Sequence, residues 1–453
     1  MIVQYFKLSL FKVLIYLIFT QTLLNAQTDT TRFNPQIAQL LEKVSRANLK
    51  NYIATLADAN GQESRVSYTE GNRWAANYLK ETLASFSGLT TVEFDTFFVN
   101  GATPPFNNLP LVNVVATLQG MEEPEKLIIV GGHLDDTASL DTSIDWSNDW
   151  AQAKARGADD NASGLAAILE IARILSDPEN GFTSRYTIKF VAFGAEEFHP
   201  VYEGQHHLGS RHFVVNLFKQ NARVVGAYII DMVGFNDTGN LYFNIVANTS
   251  SQGLGEKMLE INDVYQIGLT ANSPPFPDPT YSDHESFWLY RYPAILLIEN
   301  APPWQDNLPW YRRNPVYHTQ NDTVDLVNMD QVEKITKLAL ATVATVASPV
   351  TSVLSSSQNA SNGFALPQNF PNPFNSDTVI YYRLEQAGRV RLTIYDLLGK
   401  EIKTLVEEIM PAGDHQIRWD GRNELGQAVP SGIYFFQIFR GNQRLAGKMV
   451  LIR

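Results

Sequence analysis

The chain has 453 residues, with 35 Lys and Arg against 47 Asp and Glu for a net charge of −12, and no cysteine. That length exceeds one ordinary domain, and an acidic balance lacks the basic footprint of a nucleic-acid binder. Without thiols there are no disulfides, and any metal site must draw on His, Asp and Glu.

The first 26 residues contain Lys7 and Lys12, no acid, an apolar run from Val13 to Phe19 and a small residue at Ala26. This is the pattern of a secretory signal peptide cleaved after Ala26. The run is well short of the ~20 residues of a membrane span, and no later segment reads as one. Apolar spacing then predicts helices over 35–57 and 68–86, and alternation predicts strands at TVEFDTFF (91–98) and LVNVVATL (111–118). KLIIVGG (126–132) is a short continuous apolar run of the buried, parallel-sheet kind. A helix over 162–176, strands at 186–193 and 224–231, a helix near 252–263, a strand at 293–299 and a helix over 329–347 follow. Strands alternating with helices predict an α/β fold, its mostly parallel central sheet covered by helices on both faces.

At 351–366 the texture changes to a Ser/Asn-rich linker, TSVLSSSQNASNGFAL. Beyond it, TVIYYRL, GRVRLTIYD, HQIRWDG, GIYFFQIF and RLAGKMVLI alternate between turn residues, which predicts a small all-β sandwich. The charge changes with the texture. Residues 27–366 hold 22 basic and 38 acidic side chains, net −16, whereas 367–453 hold 11 and 9, net +2. The organisation read from these shifts is a signal peptide (1–26), a large domain (27–350), a linker (351–366) and a small domain (367–453).

Ligands of open α/β sheets bind at the carboxyl ends of the strands, so the residues at those ends are the candidates. His133 and Asp135 follow the strand 126–132, Glu196 and Glu197 follow 186–193, and Asp231 ends 224–231. GADDNASG (157–164) places Asp159 and Asp160 at the start of a helix, where a cap explains one acid but not two. NPVYHTQNDT sets His318 in a late loop. Each has an ordinary structural reading alone, but together they suit a two-metal hydrolase. Such a site needs a bridging carboxylate, terminal ligands and a general base that is not a ligand. Adjacent Glu196 and Glu197 can divide those last two tasks. Asp135 is placed either to orient His133 or to organise the site beneath the metals.

Taken together, GGHLDD, GADDNASG, FGAEE, IIDMVG and NPVYHTQNDT resemble the M28 family of zinc aminopeptidases over roughly residues 40–350. The resemblance implies the zinc exopeptidase fold and two Zn2+ per chain. His133 and Asp231 would hold one zinc, Glu197 and His318 the other, and Asp160 would bridge them. Glu196 would be the general base, with Asp135 behind the metals and a cis peptide at Asp160–Asn161. YSDHESF (281–287) also resembles a family stretch, which makes Tyr281, Asp283 and His284 candidates for substrate contact. The segment after the Glu pair, FHPVYEGQHHLGSRHF, is longer than the family norm. Its His199, His206 and His207 are assigned to a cleft wall or lid rather than to a third metal. PPWQDNLPWYRRNP (302–315) is a candidate specificity wall.

LPQNFPNPFNSDTVIYYRL, YDLLGKEI, WDGRNELGQAVPSGIYFFQI and KMVLIR, over about 367–453, resemble the C-terminal sorting domain of type IX secretion substrates. This implies the type IX machinery as a partner and a secreted or cell-surface location. The leading expectation is a secreted di-zinc aminopeptidase acting on peptide or protein N-termini. The alternatives are a zinc carboxypeptidase or dipeptidase on the same fold, and a non-catalytic interaction module.

Overall fold

The computed structural model describes residues 33–202, 204–271, 281–299, 313–348, 368–384, 386–396, 399–440 and 443–453. The signal peptide and the linker read from the sequence lie outside the described residues. Eight strands make the main sheet: β1 (Thr91–Phe98), β2 (Pro110–Leu118), β3 (Glu123–His133), β4 (Tyr186–Phe193), β5 (Arg223–Ile230), β6 (Tyr242–Ala247), β7 (Thr270–Ala271) and β8 (Ala294–Ile298). Their spatial order is β1-β2-β4-β3-β5-β8-β6-β7.

The sheet is mixed. The middle four strands, β4, β3, β5 and β8, are parallel, but β1 and β2 on one flank and β6 on the other run antiparallel to their inner neighbours. "Mostly parallel" therefore describes the centre only. β6 was not foreseen, because Asn244 interrupts its apolar run. In the fold the Asn244 amide is buried and donates to the Glu299 carbonyl (2.8 Å), so the polar residue costs the strand little.

Among the described residues, the helices longer than one turn are α1 (Pro35–Leu41), α2 (Arg46–Asp58), α3 (Glu70–Ala84), α4 (Ala162–Ser176), α5 (Leu208–Lys219), α6 (Gln252–Val264), α7 (His284–Leu289) and α8 (Met329–Ala347). Alternate residues of β3 choose between two cores. Ile128 and Val130 join the core under α2, α4 and α8, while Leu127 and Ile129 join the one under α5 and α7. The single helix expected over 35–57 is two. Ser45 caps α2 by accepting from Asn48 N–H (3.2 Å) and gives its own N–H to buried Glu170 of α4 (2.7 Å). A local cap and a distant carboxylate thus outweigh helical periodicity.

Residues 368–453 form two antiparallel sheets around one core built on Trp419, Ile380, Leu392 and Phe436. β9 (Gln368–Phe370), β10 (Thr378–Leu384) and β13 (Gly413–Trp419) make one; β11 (Gly388–Asp396), β12 (Glu401–Met410), β14 (Gly432–Arg440) and β15 (Gln443–Leu451) make the other. This is the expected small sandwich.

Candidate active site

The carboxyl ends of the parallel strands carry the site. β3 ends on His133, whose Nδ1 donates to the Asp135 carbonyl (3.0 Å). That bond turns Nε2 inward, to 3.0 Å from Asp160 Oδ1 and 3.1 Å from Asp231 Oδ1. From the other side His318 Nε2 lies 3.2 Å from Asp160 Oδ2 and 3.2 Å from Glu197 Oε2. The structure therefore brings His133, Asp160, Glu197, Asp231 and His318 together. One oxygen of Asp160 faces His133, beside Asp231, and the other faces His318, beside Glu197.

The opening of α4 explains how Asp160 is freed for this. Asn161, not an aspartate, caps the helix, accepting from Gly164 N–H (3.0 Å), while its amide donates to the Ile230 carbonyl of β5 (2.9 Å). The approach is close enough to require glycine twice. A Cβ on Gly164 would lie 2.4 Å from the Ile230 oxygen, and one on Gly132 2.5 Å from the same atom. Asp159 turns away and accepts from Gly234 N–H (2.7 Å) and the Asn314 amide (2.8 Å). Asp322 accepts the N–H groups of Asp159 and Asp160. The Asp160–Asn161 peptide is cis, as the resemblance implied.

Asp135 engages its neighbours with two different groups. Its carbonyl orients His133, and its carboxylate accepts the N–H groups of Glu196 (3.0 Å) and Glu197 (3.3 Å), fixing the turn after β4. Glu196 does not join the cluster around Asp160. Its Oε1 lies 3.1 Å from His207 Nε2. The cavity in front of these groups holds about 400 Å³ and is walled by Met232, Val246, Leu296 and Ile298 on its apolar side and by Phe198 and Tyr317 elsewhere.

The buried charges are out of balance. Asp135, Asp160, Glu196, Glu197 and Asp231 are all buried. Burial pushes the Glu197 carboxyl up to about 8 and also raises Asp231 and, to about 6, Asp135. Burial opposes the imidazolium of His318, yet Glu197 and Asp160 overcome it and hold the ring at about 10. Acids that resist ionising beside histidines that resist deprotonation indicate a site short of positive charge. Glu197 Oε1 is buried with no hydrogen-bond partner, and Asp160 Oδ2 has none of good geometry despite its nearness to His318. Ligand atoms of His133, Asp160 and Glu197 lie within 4.8 Å of one another. The donor set of imidazole and carboxylate and these orphaned oxygens fit a zinc-like cation.

Not every candidate lands here. Asp283 and His284 are fully buried and do not line the cavity, whereas Tyr281, 62% exposed, stands at its rim. Asp283 and His284 pack inward where α7 begins, and the next residue, Glu285, faces the cavity. His199 is packed against Tyr202 and Trp150, with ring centroids 5.0 and 4.3 Å away, and is a wall anchor. Most of the aromatic stretch 302–315 lies outside the described residues. Sequence reasoning missed the partners of His207 and also Arg65, which is fully buried. Arg65 pairs with Asp136 and donates to the carbonyls of Leu134 and Gly157, tying the His133 loop to the Asp160 loop.

An α/β sheet whose parallel strands end in a two-sided cluster of carboxylates and imidazoles defines a metal-dependent hydrolase. Residues 113–343, just over half of the chain, match Peptidase family M28, and the protein belongs to that family. Residues 375–443 match the FlgD Ig-like domain. The uncharacterized protein YfbL of Escherichia coli is 27% identical over 277 residues, 56% of this chain and 74% of that one. Leucine aminopeptidase 1 of Pyrenophora teres is 26% identical over 315 residues, 66% of this chain and 69% of that one. The chain spans only 41% to 44% of the length of three fungal relatives described as probable zinc metalloproteases. The fold is that of the LapA aminopeptidase of Legionella pneumophila, with a TM-score of 0.55 and 21% identity, covering 72% of this chain and 76% of that one.

Proposed function

We propose that the protein is a secreted zinc aminopeptidase holding two zinc ions, His133 and Asp231 on one, Glu197 and His318 on the other, with Asp160 shared. The observation that carries this reading is Asp160, whose two oxygens face two separate imidazole–carboxylate pairs. When bound, zinc supplies Lewis-acid polarisation of the scissile carbonyl and acidifies the attacking water. The chain's own residues do the rest. Glu196, buried at the cavity but outside the cluster around Asp160, takes the proton of the attacking water and gives it to the departing amine. Asp135 holds Glu196 and Glu197 at their backbone, so the base and the ligand keep fixed relative positions. The apolar wall of Val246, Leu296 and Ile298 excludes water and receives the first side chain of the peptide. The aminopeptidase activity of relatives such as leucine aminopeptidase 1 favours release from the amino end. A panel of aminoacyl anilides with free and blocked amino termini tests that polarity, because cleavage of the blocked set alone would overturn it.

The test of the metal reading is Asp160→Asn. Asn161 supplies the helix cap, so the substitution leaves α4 capped. Zinc per chain should fall below two and activity should collapse by more than ~10²-fold, while Asp159→Asn does much less. Full zinc and activity in Asp160→Asn would end the two-metal reading. Export is proposed on the sequence of residues 1–26 and 367–453. Among the described residues no helix is long and apolar enough to cross a membrane. Deleting 367–453 in the native host should leave the enzyme in the periplasm if that segment is read by the type IX machinery.

A further inference from the structure

Residues 198–206 leave the site directly after the Glu pair and return to it. The ends are zipped together: His207 N–H donates to the Glu196 carbonyl (3.0 Å), Leu208 N–H to Ala195 (2.8 Å) and Gly209 N–H to Gly194 (2.9 Å). Gly209 permits the approach, since a Cβ there would lie 2.3 Å from the Gly194 oxygen. His207 adopts left-handed backbone, φ +55°, a conformation disfavoured for a residue with a Cβ. The ring so placed sits between two carboxylates, with Nε2 3.1 Å from Glu196 Oε1 and Nδ1 2.8 Å from Glu285 Oε2. Glu285 lies in the first turn of α7, and Arg211 of α5 also reaches it, at 3.4 Å. An imidazole can donate to carboxylates through both nitrogens only when both carry protons, so the arrangement fixes His207 as a cation.

We infer that His207, clamped by Glu285, is the positioning residue for Glu196: it holds one carboxylate oxygen and leaves the other for the attacking water. This rests on the reading of Glu196 as general base. The side chain is buried and reaches the reaction only through Glu196. The electrostatics agree with the geometry. Burial opposes the His207 cation, but Glu196 and Glu285 hold it at about 10. Asp283 and His206 also face His207.

The experiment compares the zinc-loaded full chain with Glu196→Gln, His207→Gln, His207→Leu and Glu285→Gln, reading kcat and kcat/KM against pH, zinc per chain and melting. His207→Gln keeps a donor near Nε2 but no charge. Its kcat should fall about threefold or more, with KM and zinc content nearly unchanged. His207→Leu should lose about tenfold or more in kcat. Glu285→Gln should change the same parameters less, and add little to His207→Gln, because it acts through that ring. An inactive Glu196→Gln with an unchanged kcat in His207→Gln would overturn the positioning role and leave the base assignment standing. Retained activity in Glu196→Gln would overturn both. Where His207→Leu melts too low to assay, His207→Gln decides.

Discussion

Single atoms decide the site, and glycine 164 shows how tightly. An added methyl there would meet Asn161 Oδ1 at 2.2 Å and the Ile230 carbonyl at 2.4 Å. Neither is a flexible tip, since Asn161 is held as the α4 cap and Ile230 is strand backbone. Gly164→Ala should therefore push the start of α4 off the sheet, costing ~1–3 kcal/mol. Asp160 rides on that start, so zinc retention against a chelator should fall along with the melting temperature. Melting unchanged from wild type would show that the rim has slack. Four of the candidate ligands are legible in the sequence because His133, Glu197 and Asp231 follow strand ends and Asp160 precedes a helix; His318, in a loop, is legible through its motif. His207 and Arg65 were not. His207 matters because the 198–206 excursion closes back on Glu196 and because α7 brings Glu285 from almost eighty residues away. Nothing near Arg65 marks it as a buried strut, and a lone arginine in a polar stretch reads as solvated.

Among the elements, the loop that carries His318 is held by another loop rather than by a helix or strand. Leu140 N–H donates to the His318 carbonyl (3.0 Å), and Asp141 accepts from Gln320 N–H (3.1 Å). Bonds from the Ser143 hydroxyl and N–H, and then from Gln320, pull the Asp141 carboxyl down to about 2. The folded value lies below the ordinary one near 4, so the stabilisation is present above about pH 4 and is lost as pH falls through about 2. Asp141→Ala should accordingly melt slightly below wild type near neutrality, and the gap should close as the pH drops towards 2. A gap that persists at low pH would locate the effect in packing rather than in charge. Element types were well predicted where apolar period was long, as in α4, α8 and the parallel strands. The errors lie where a side chain bonded elsewhere. Ser45 and Glu170 split the first helix, and Asn244 hid β6 by placing an amide in a buried strand.

For the whole molecule, the composition changes after residue 350 and a distinct apolar core gathers around Trp419, which leads us to expect two folding units. A chain ending at residue 348 keeps all eight strands of the main sheet and every proposed ligand. It should be soluble and should cleave aminoacyl anilides at nearly the full-length rate, and calorimetry of the intact chain should resolve two transitions. Aggregation of the shortened form would make the sandwich part of the catalytic body. The α/β class and the sandwich were readable, since they depend on pattern and texture summed over many residues. The antiparallel flanks were not, since strand direction depends on which neighbour a strand finds.

The backbone zip between 194–196 and 207–209 also bears on descent. An excursion that starts and ends on the same rungs can change length at a cost of only ~0.6 kcal/mol per doubling in loop-closure entropy. A lineage can therefore rewrite the stretch that presents Phe198 and His206 to the cavity while Glu196, Glu197 and His207 are inherited in place. Bond breaking and substrate choice become separately heritable traits, and variation at this one junction can diversify diet without endangering chemistry.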